Sequence, residues 1–133
     1  MPTTLHGPAK RLSAYIGEND TYDDGKPLYS ALVESARTAG CAGATVLRGI
    51  EGFGATSRIH AAHDLRMSSD LPVVVTVVDQ EFRIAALAEV FAAMAGNGLV
   101  TVEDVTVVYY RGAIPEHPAP SKRYSGKEGA DRA

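Results

Sequence analysis

Hydrophobic and polar positions along this chain change period several times, and each change predicts an element. In "RLSAYIG", Leu12, Ala14 and Ile16 fall on one face while Arg11, Ser13 and Tyr15 fall on the other, which predicts a strand. Turn-forming acids in "ENDTYDDG" follow. Pro27 suits a first helical position, and Leu28, Leu32, Ala36 and Ala39 then recur at helical spacing until Gly40. Residues 44–50 read as a second strand and "LPVVVTVVD" as a third, apolar on both faces. Asp79 fits an N-cap for a second helix striped by Ile84, Leu87, Ala88, Phe91 and Met94, which "GNG" ends. A last strand, "VTVVYYRG", alternates Val105, Val107 and Tyr109 against Thr106, Val108 and Tyr110.

The order β-α-β-β-α-β predicts an α+β, ferredoxin-like domain over residues 9–112, an antiparallel sheet with two helices on one face. Residues 1–8 are expected to be a flexible leader. Residues 113–133, with three prolines among Lys, Ser and Gly, are expected to be a disordered tail. The third strand is apolar on the face the helices leave open. Exposed apolar area costs about 25 cal/mol per Å², so another copy of the chain is its simplest cover.

The chain has 133 residues, one domain's worth, with a formal net charge of −3. That balance argues against a nucleic-acid partner. Cys41 is the sole cysteine, which excludes an internal disulfide and fits a reducing compartment. No apolar run reaches the roughly 18 residues that span a bilayer, and the start lacks a signal-peptide core. The expectation is a cytoplasmic protein.

Candidate chemistry concentrates in the connection over residues 51–70, since loops beyond about 12–15 residues tend to be functional or disordered. Gly52 and Gly54 flank Phe53, so the backbone can turn there and approach a ligand closely. Exposed amides in such a turn form anion-binding nests, to which Arg58 and Arg66 can add bidentate phosphate contacts. The competing reading is a hairpin connection with solubilising charges. His60 and His63 stand three apart but lack further clear ligands, so no metal site is assigned. "DDGKPLY" lacks Walker A spacing, which leaves Lys26 as a secondary anion candidate beside a helix start. Cys41 has no adjacent histidine to activate it, and no catalytic residue is assigned. Arg111 closes the last strand, where it can reach a ligand held between subunits or simply lie along the edge.

"AYIGEND", "GKPLYSALVESARTAGCAGATVLRGIEGFGATSRIH", "DLPVVVTVVD" and "NGLVTVEDVTVVYY" together resemble the DUF190 (UPF0166) family. That family is similar in fold to PII signal-transduction proteins, which are trimers of ferredoxin-like subunits. The resemblance implies a non-enzymatic, PII-like homotrimer. Its adenine nucleotide would bind in intersubunit clefts, and its long mobile loop would switch to control a partner protein. It places nucleotide-phosphate contacts near Gly52 and Gly54, with help from Arg111, and puts Arg58, His60, His63 and Arg66 in the effector loop; Phe53, Arg58, Gly98 and Lys26 complete the candidate ligand-binding set. "NGLVTVEDV" keeps Gly98 but lacks the lysine of the PII loop, and "ATSRIH" lacks a modifiable tyrosine. AMP, ADP, ATP and cyclic nucleotides are the ligand classes to test, with no cofactor fixed. A membrane transporter or channel is one class of target. The alternatives are a small enzyme on the same fold and a metal-binding structural trimer.

Overall fold

The computed structural model describes residues 3–54, 58–63 and 70–112. Its elements run β1 (Thr3–Thr4), β2 (Gly7–Gly17), β3 (Thr21–Tyr22), β4 (Lys26–Pro27), α1 (Leu28–Thr38), β5 (Thr45–Arg48), β6 (Glu51–Gly52), β7 (His60–Ala61), β8 (Pro72–Asp79), α2 (Glu81–Ala95), β9 (Leu99–Val107) and β10 (Arg111–Gly112). The main sheet has the order β5-β8-β2-β9, every neighbour antiparallel. Counting only its four strands and two helices, this is the ferredoxin-like βαββαβ arrangement.

Side chains alternate across a strand, so the two sheet faces can be read directly from the register. Leu12, Ala14 and Ile16 of β2 join Val73, Val75 and Val77 of β8 in the core. Against them pack Leu28, Leu32 and Ala36 of α1, with Ile84, Leu87, Phe91 and Ala95 of α2. Phe91 is fully buried, and cutting such a side chain to alanine costs about 3–5 kcal/mol.

The middle of the opposite face carries three successive rows across the strands. Leu47, Val74, Tyr15 and Leu99 form one, and Thr45, Thr76, Ser13 and Thr101 the next. Val78, Arg11 and Glu103 follow. Tyr15, Leu47 and Leu99 are exposed, so an apolar strip lies open there, as the alternation predicts.

Helix ends follow local chemistry. At the end of α1, Gly40 takes φ +83°, its N–H bonds to the Arg37 carbonyl, and the Cys41 N–H reaches back to Ala36 at 3.1 Å. That pair of bonds closes a Schellman motif, which favours glycine at the left-handed position. Gly96, at φ +63°, ends α2.

Four details differ from the sequence reading. Pro27 is the N-cap of α1 rather than its first helical residue. Gln80, not Asp79, caps α2. Asp79 ends β8 instead, buried, and its carboxylate accepts 2.7 Å bonds from the N–H groups of both Gln80 and Ala42. It thereby ties the α1–β5 turn to the start of α2. The last long strand begins at Leu99, six positions before Val105, and ends at Val107. Within the segment read as a leader, Thr3–Thr4 pairs with Thr4↔Arg111 and Thr3↔Gly112, Leu5 is buried, and β2 starts at Gly7. The tail over 113–133 lies outside the described residues.

Candidate functional site

The base of the 51–70 connection is built at one end of the sheet. β5 ends at Arg48, and the Gly49 N–H then donates to the Pro72 carbonyl at 2.7 Å. β6 and β7 form a two-pair ladder, Glu51↔Ala61 and Gly52↔His60, extended by Ala62 N–H to the Ile50 carbonyl at 2.7 Å. The connection is therefore not featureless, because a short hairpin closes its root.

Glycine at 49 and 52 has a steric reason. A Cβ at either position would lie 3.0 or 3.2 Å from Pro72 Cγ, so the proline ring packs directly on the glycine backbone. Gly54 faces open space, and Phe53 is 68% exposed between the two glycines. Ile50 and Ile59 are also exposed, which gives the root of the loop an apolar surface. Arg58 and His63 are exposed. His60 is half-buried, and its Nδ1 is a buried atom with no hydrogen-bond partner. Arg66 lies outside the described residues.

A polar collar braces this end. Glu18 holds Arg48 at 2.6 Å, while its own N–H donates to the Leu71 carbonyl at 2.8 Å. Asp20 accepts the Gly17 N–H at 2.9 Å, and Asp70 accepts the Asn19 N–H at 3.1 Å. The acids of "GEND" thus make specific bonds around the loop root, although composition alone marks them as a solvated turn. Sequence reasoning missed these residues and Pro72. The available signal was the Gly17–Pro72 pairing, which becomes visible only once the strands are in register.

Gly98 arrives at the same end, because Leu99 pairs with Tyr15. A Cβ on it would lie 2.8 Å from both Ile16 Cγ2 and the Tyr15 carbonyl oxygen. Its N–H donates to Ala95 at 3.2 Å. Close packing of the α2–β9 turn on β2 therefore accounts for this glycine. Lys26 binds Glu34 at 2.8 Å, so its charge is already matched within the chain.

Arg111 is at the other end of the sheet, paired with Thr4 beyond the Gly7↔Val107 pair. Gly7 to Gly17 spans the length of β2, and at about 3.3 Å per residue that is roughly 33 Å. Within one chain, then, Gly52, Phe53, Gly54 and Gly98 share an end of the sheet, whereas Arg111 stands far from them.

Cys41 is half-buried, and its thiol is pushed up to about 11 by burial first and by the charge of Asp79 second. At neutral pH it is a protonated thiol and a poor nucleophile. Among the described residues, no group of three or more His, Cys, Asp or Glu side chains is placed to hold a metal ion. Also among them, no helix is long and apolar enough to cross a membrane. The loop end offers backbone amides beside glycines, an exposed aromatic ring and a cation, which suits reversible binding of a planar, anionic ligand.

This fold is of the PII-like type. It matches CPII, a nitrogen regulatory PII-like protein from Thiomonas intermedia K12, in a structure bound to ADP, AMP and bicarbonate. The match has a TM-score of 0.50 at 22% identity and covers 75% of this chain and 88% of that one. A structure of the same protein bound to ADP and bicarbonate gives the same values. The chain itself belongs to the DUF190 (UPF0166) family, whose model, described as an uncharacterized ACR, matches residues 9–107. A UPF0166 protein of Aquifex aeolicus (strain VF5) is 40% identical over 100 residues, covering 75% of this chain and 93% of the relative. A UPF0166 protein of Methanocaldococcus jannaschii is 35% identical over 110 residues, covering 81% and 97% respectively.

Proposed function

We propose that this chain is a non-enzymatic, PII-like regulatory protein. It binds an adenine nucleotide in clefts between copies of itself, as a homotrimer, and passes occupancy to a partner through the 51–70 loop. The observation that carries the reading is the placement of that loop's root. Gly52, Phe53 and Gly54 leave the sheet at the same end as Gly98, with Pro72 fixing the glycine backbone from below. The likeness to CPII, a protein of this fold seen with ADP and AMP, supports the ligand class.

Arg111 enters only through a neighbour. Roughly 33 Å of β2 separates it from the glycine end of its own chain, at about 3.3 Å per residue. An adenine nucleotide is far shorter than this. If Arg111 binds the phosphates, it does so from an adjacent copy, and the open sheet face with Tyr15, Leu47 and Leu99 is the surface that brings copies together.

The mechanism is a population shift. A ligand moves the loop only by as much as it prefers one loop state over the other. Arg58 and His63 are exposed in the described part of the loop, where a partner protein can read them. A membrane transporter or channel remains one partner class, met from the cytoplasm.

Calorimetric titration with AMP, ADP, ATP and cyclic AMP, with and without Mg²⁺, tests the reading on a sample whose solution mass is also determined. The expected result is a trimer with saturable binding near one nucleotide per subunit, weakened in Arg58→Ala and Arg111→Ala. Mixing Arg111→Ala chains with chains carrying a disabled glycine end should restore a fraction of the sites. Absence of binding by all four nucleotides removes the ligand assignment. Turnover of a nucleotide would remove the non-enzymatic one.

A further inference from the structure

A second surface lies on the outer side of the helix layer. The β3–β4 turn folds over the α1–α2 pair and leaves a groove of about 740 Å³. Ala31, Leu87, Val90 and Met94 line it, with Tyr22 at one end and Thr38 and Ala39 at the other. Val90 and Tyr22 are exposed, so the apolar lining is uncovered in the described structure.

Charge is distributed unevenly along this groove. Glu34 is matched by Lys26 at 2.8 Å. Asp23 and Asp24 also line it, held at φ +46° and +51° in the β3–β4 turn, and no ion pair is seen for either among the described residues. The uncompensated negative charge is thus concentrated at the Tyr22 end.

The chain's own path leads to the opposite end. The Tyr110 hydroxyl donates to the Ala42 carbonyl at 3.3 Å, just past the end of α1, and the described chain stops at Gly112. Residues 113–133 follow, with Ile114, then Pro115, Pro118 and Pro120, then the basic pair Lys122–Arg123 and Tyr124. At about 3.1 Å per residue for an extended, proline-rich stretch, Lys122 can stand roughly 31 Å from Gly112. The 11 residues of α1 cover about 16 Å. The span therefore allows an approach of about 15 Å past Ala42 and Ala39 and then the full length of the groove.

We propose that the segment 113–133 docks along the α1–α2 groove of its own chain, with Lys122 and Arg123 meeting Asp23 and Asp24. The pairing follows from three things: the exit point at the Ala39 end, the reach of the segment, and opposite charges at the far end. It does not depend on the nucleotide reading. Its consequence is a helix face that is covered or uncovered according to salt and to any modification of the segment's charge.

A nitroxide on Ser121→Cys, in full-length chain with Cys41→Ala, tests this by paramagnetic broadening of backbone amide signals. Ala31, Glu34 and Val90 should lose more than half their intensity, and the loss should fade as salt is raised. Asp23→Asn with Asp24→Asn, which keeps side chains tolerant of positive φ, should restore the signals, as should Lys122→Glu with Arg123→Glu. Broadening that is absent, or that ignores both charge changes, overturns the proposal. So does broadening seen only when spin-labelled chains are mixed with isotope-labelled ones, which would assign the groove to a second copy.

Discussion

Gly98→Ala separates two roles for a glycine that the family resemblance places in a ligand site and the packing places in the fold. An ideal Cβ at this position would lie 2.8 Å from Ile16 Cγ2, 2.8 Å from the Tyr15 carbonyl oxygen and 3.6 Å from Ala95 Cβ. Carbon atoms pack comfortably at about 3.5–4.0 Å, so the first contact falls short by most of an ångström. Neither neighbour can yield easily. Ile16 is buried in the core, and Tyr15 belongs to β2, which is hydrogen-bonded to β8 on one side and β9 on the other. Overpacking of this sort costs about 1–3 kcal/mol, and a backbone partner argues for the upper half of that range. Gly96→Ala is the control, because its cost of about 1–3 kcal/mol comes from the backbone at φ +63°, ψ −114° alone, with nothing within 4 Å. Urea unfolding at one fixed protein concentration measures both, since an oligomer's stability depends on concentration. With a slope of about 1–3 kcal/mol per molar urea, Gly98→Ala should lower the midpoint by roughly 1 M. A variant that unfolds like the parent chain but no longer binds nucleotide would refute the packing argument and return Gly98 to the ligand.

Three further outcomes follow from the described geometry. The thiol of Cys41, raised to about 11, should react slowly with iodoacetamide at pH 8, its rate climbing only well above pH 9. Because the folded value lies above the 9.0 of a free thiol, the group's contribution to stability is complete below pH 9 and is lost as pH rises towards 11, which alkaline unfolding of Cys41→Ala against the parent chain would show. Replacing His60 with Phe removes a buried, unpartnered nitrogen from the hairpin at the loop root and should tighten it by about 1 kcal/mol or more; hydrogen exchange at the Ala62 amide, the donor to Ile50, should slow by several-fold. Asp79→Ala strips the acceptor from the Ala42 and Gln80 N–H groups and should cost about 2 kcal/mol, read as a lower thermal midpoint.

How far the sequence discloses these features depends on whether their cause is periodic. β2, α1 and α2 are visible because Leu12, Leu32 and Phe91 recur at strand or helix spacing and sit in the core for that reason. The beginning of β9 is hidden because Glu103 and Asp104 stand side by side and break the alternation. The structure supplies their reason: Arg11 binds Glu103 at 3.0 Å on the open face, and Lys10 binds Asp104 on the helix face. These are cross-strand pairs, and nothing along the chain tells Glu103 which residue it will oppose. β6 and β7 escape for a simpler reason, since a two-residue ladder has no period to detect. In the candidate site, Gly52 and Gly54 are legible as glycines, yet only Pro72 against Gly52 shows that one serves packing while the other faces open space.

The register of β2 against β9 bears on how copies would meet. A slip of one residue between β2 and β9 would turn every side chain of a strand to the wrong face and break both pairs, so the burial of Leu12, Ala14 and Ile16 sets the register that places Tyr15 beside Leu99, and the exposed pairs add little to it. That register sorts the open face into an apolar row, a hydroxyl row and a charged row, rather than leaving it uniformly greasy. A uniform apolar face would accept a neighbour in many orientations. A banded one favours the few that set apolar against apolar and keep Ser13, Thr45, Thr76 and Thr101 hydrogen-bonded, because a buried hydroxyl without a partner costs about 1–3 kcal/mol. The length of β2 imposes the second condition, since Arg111 can join the glycine end only across copies. An ordered oligomer would meet both conditions, and under the proposed function the nucleotide cleft and the sheet interface would then be parts of one structure.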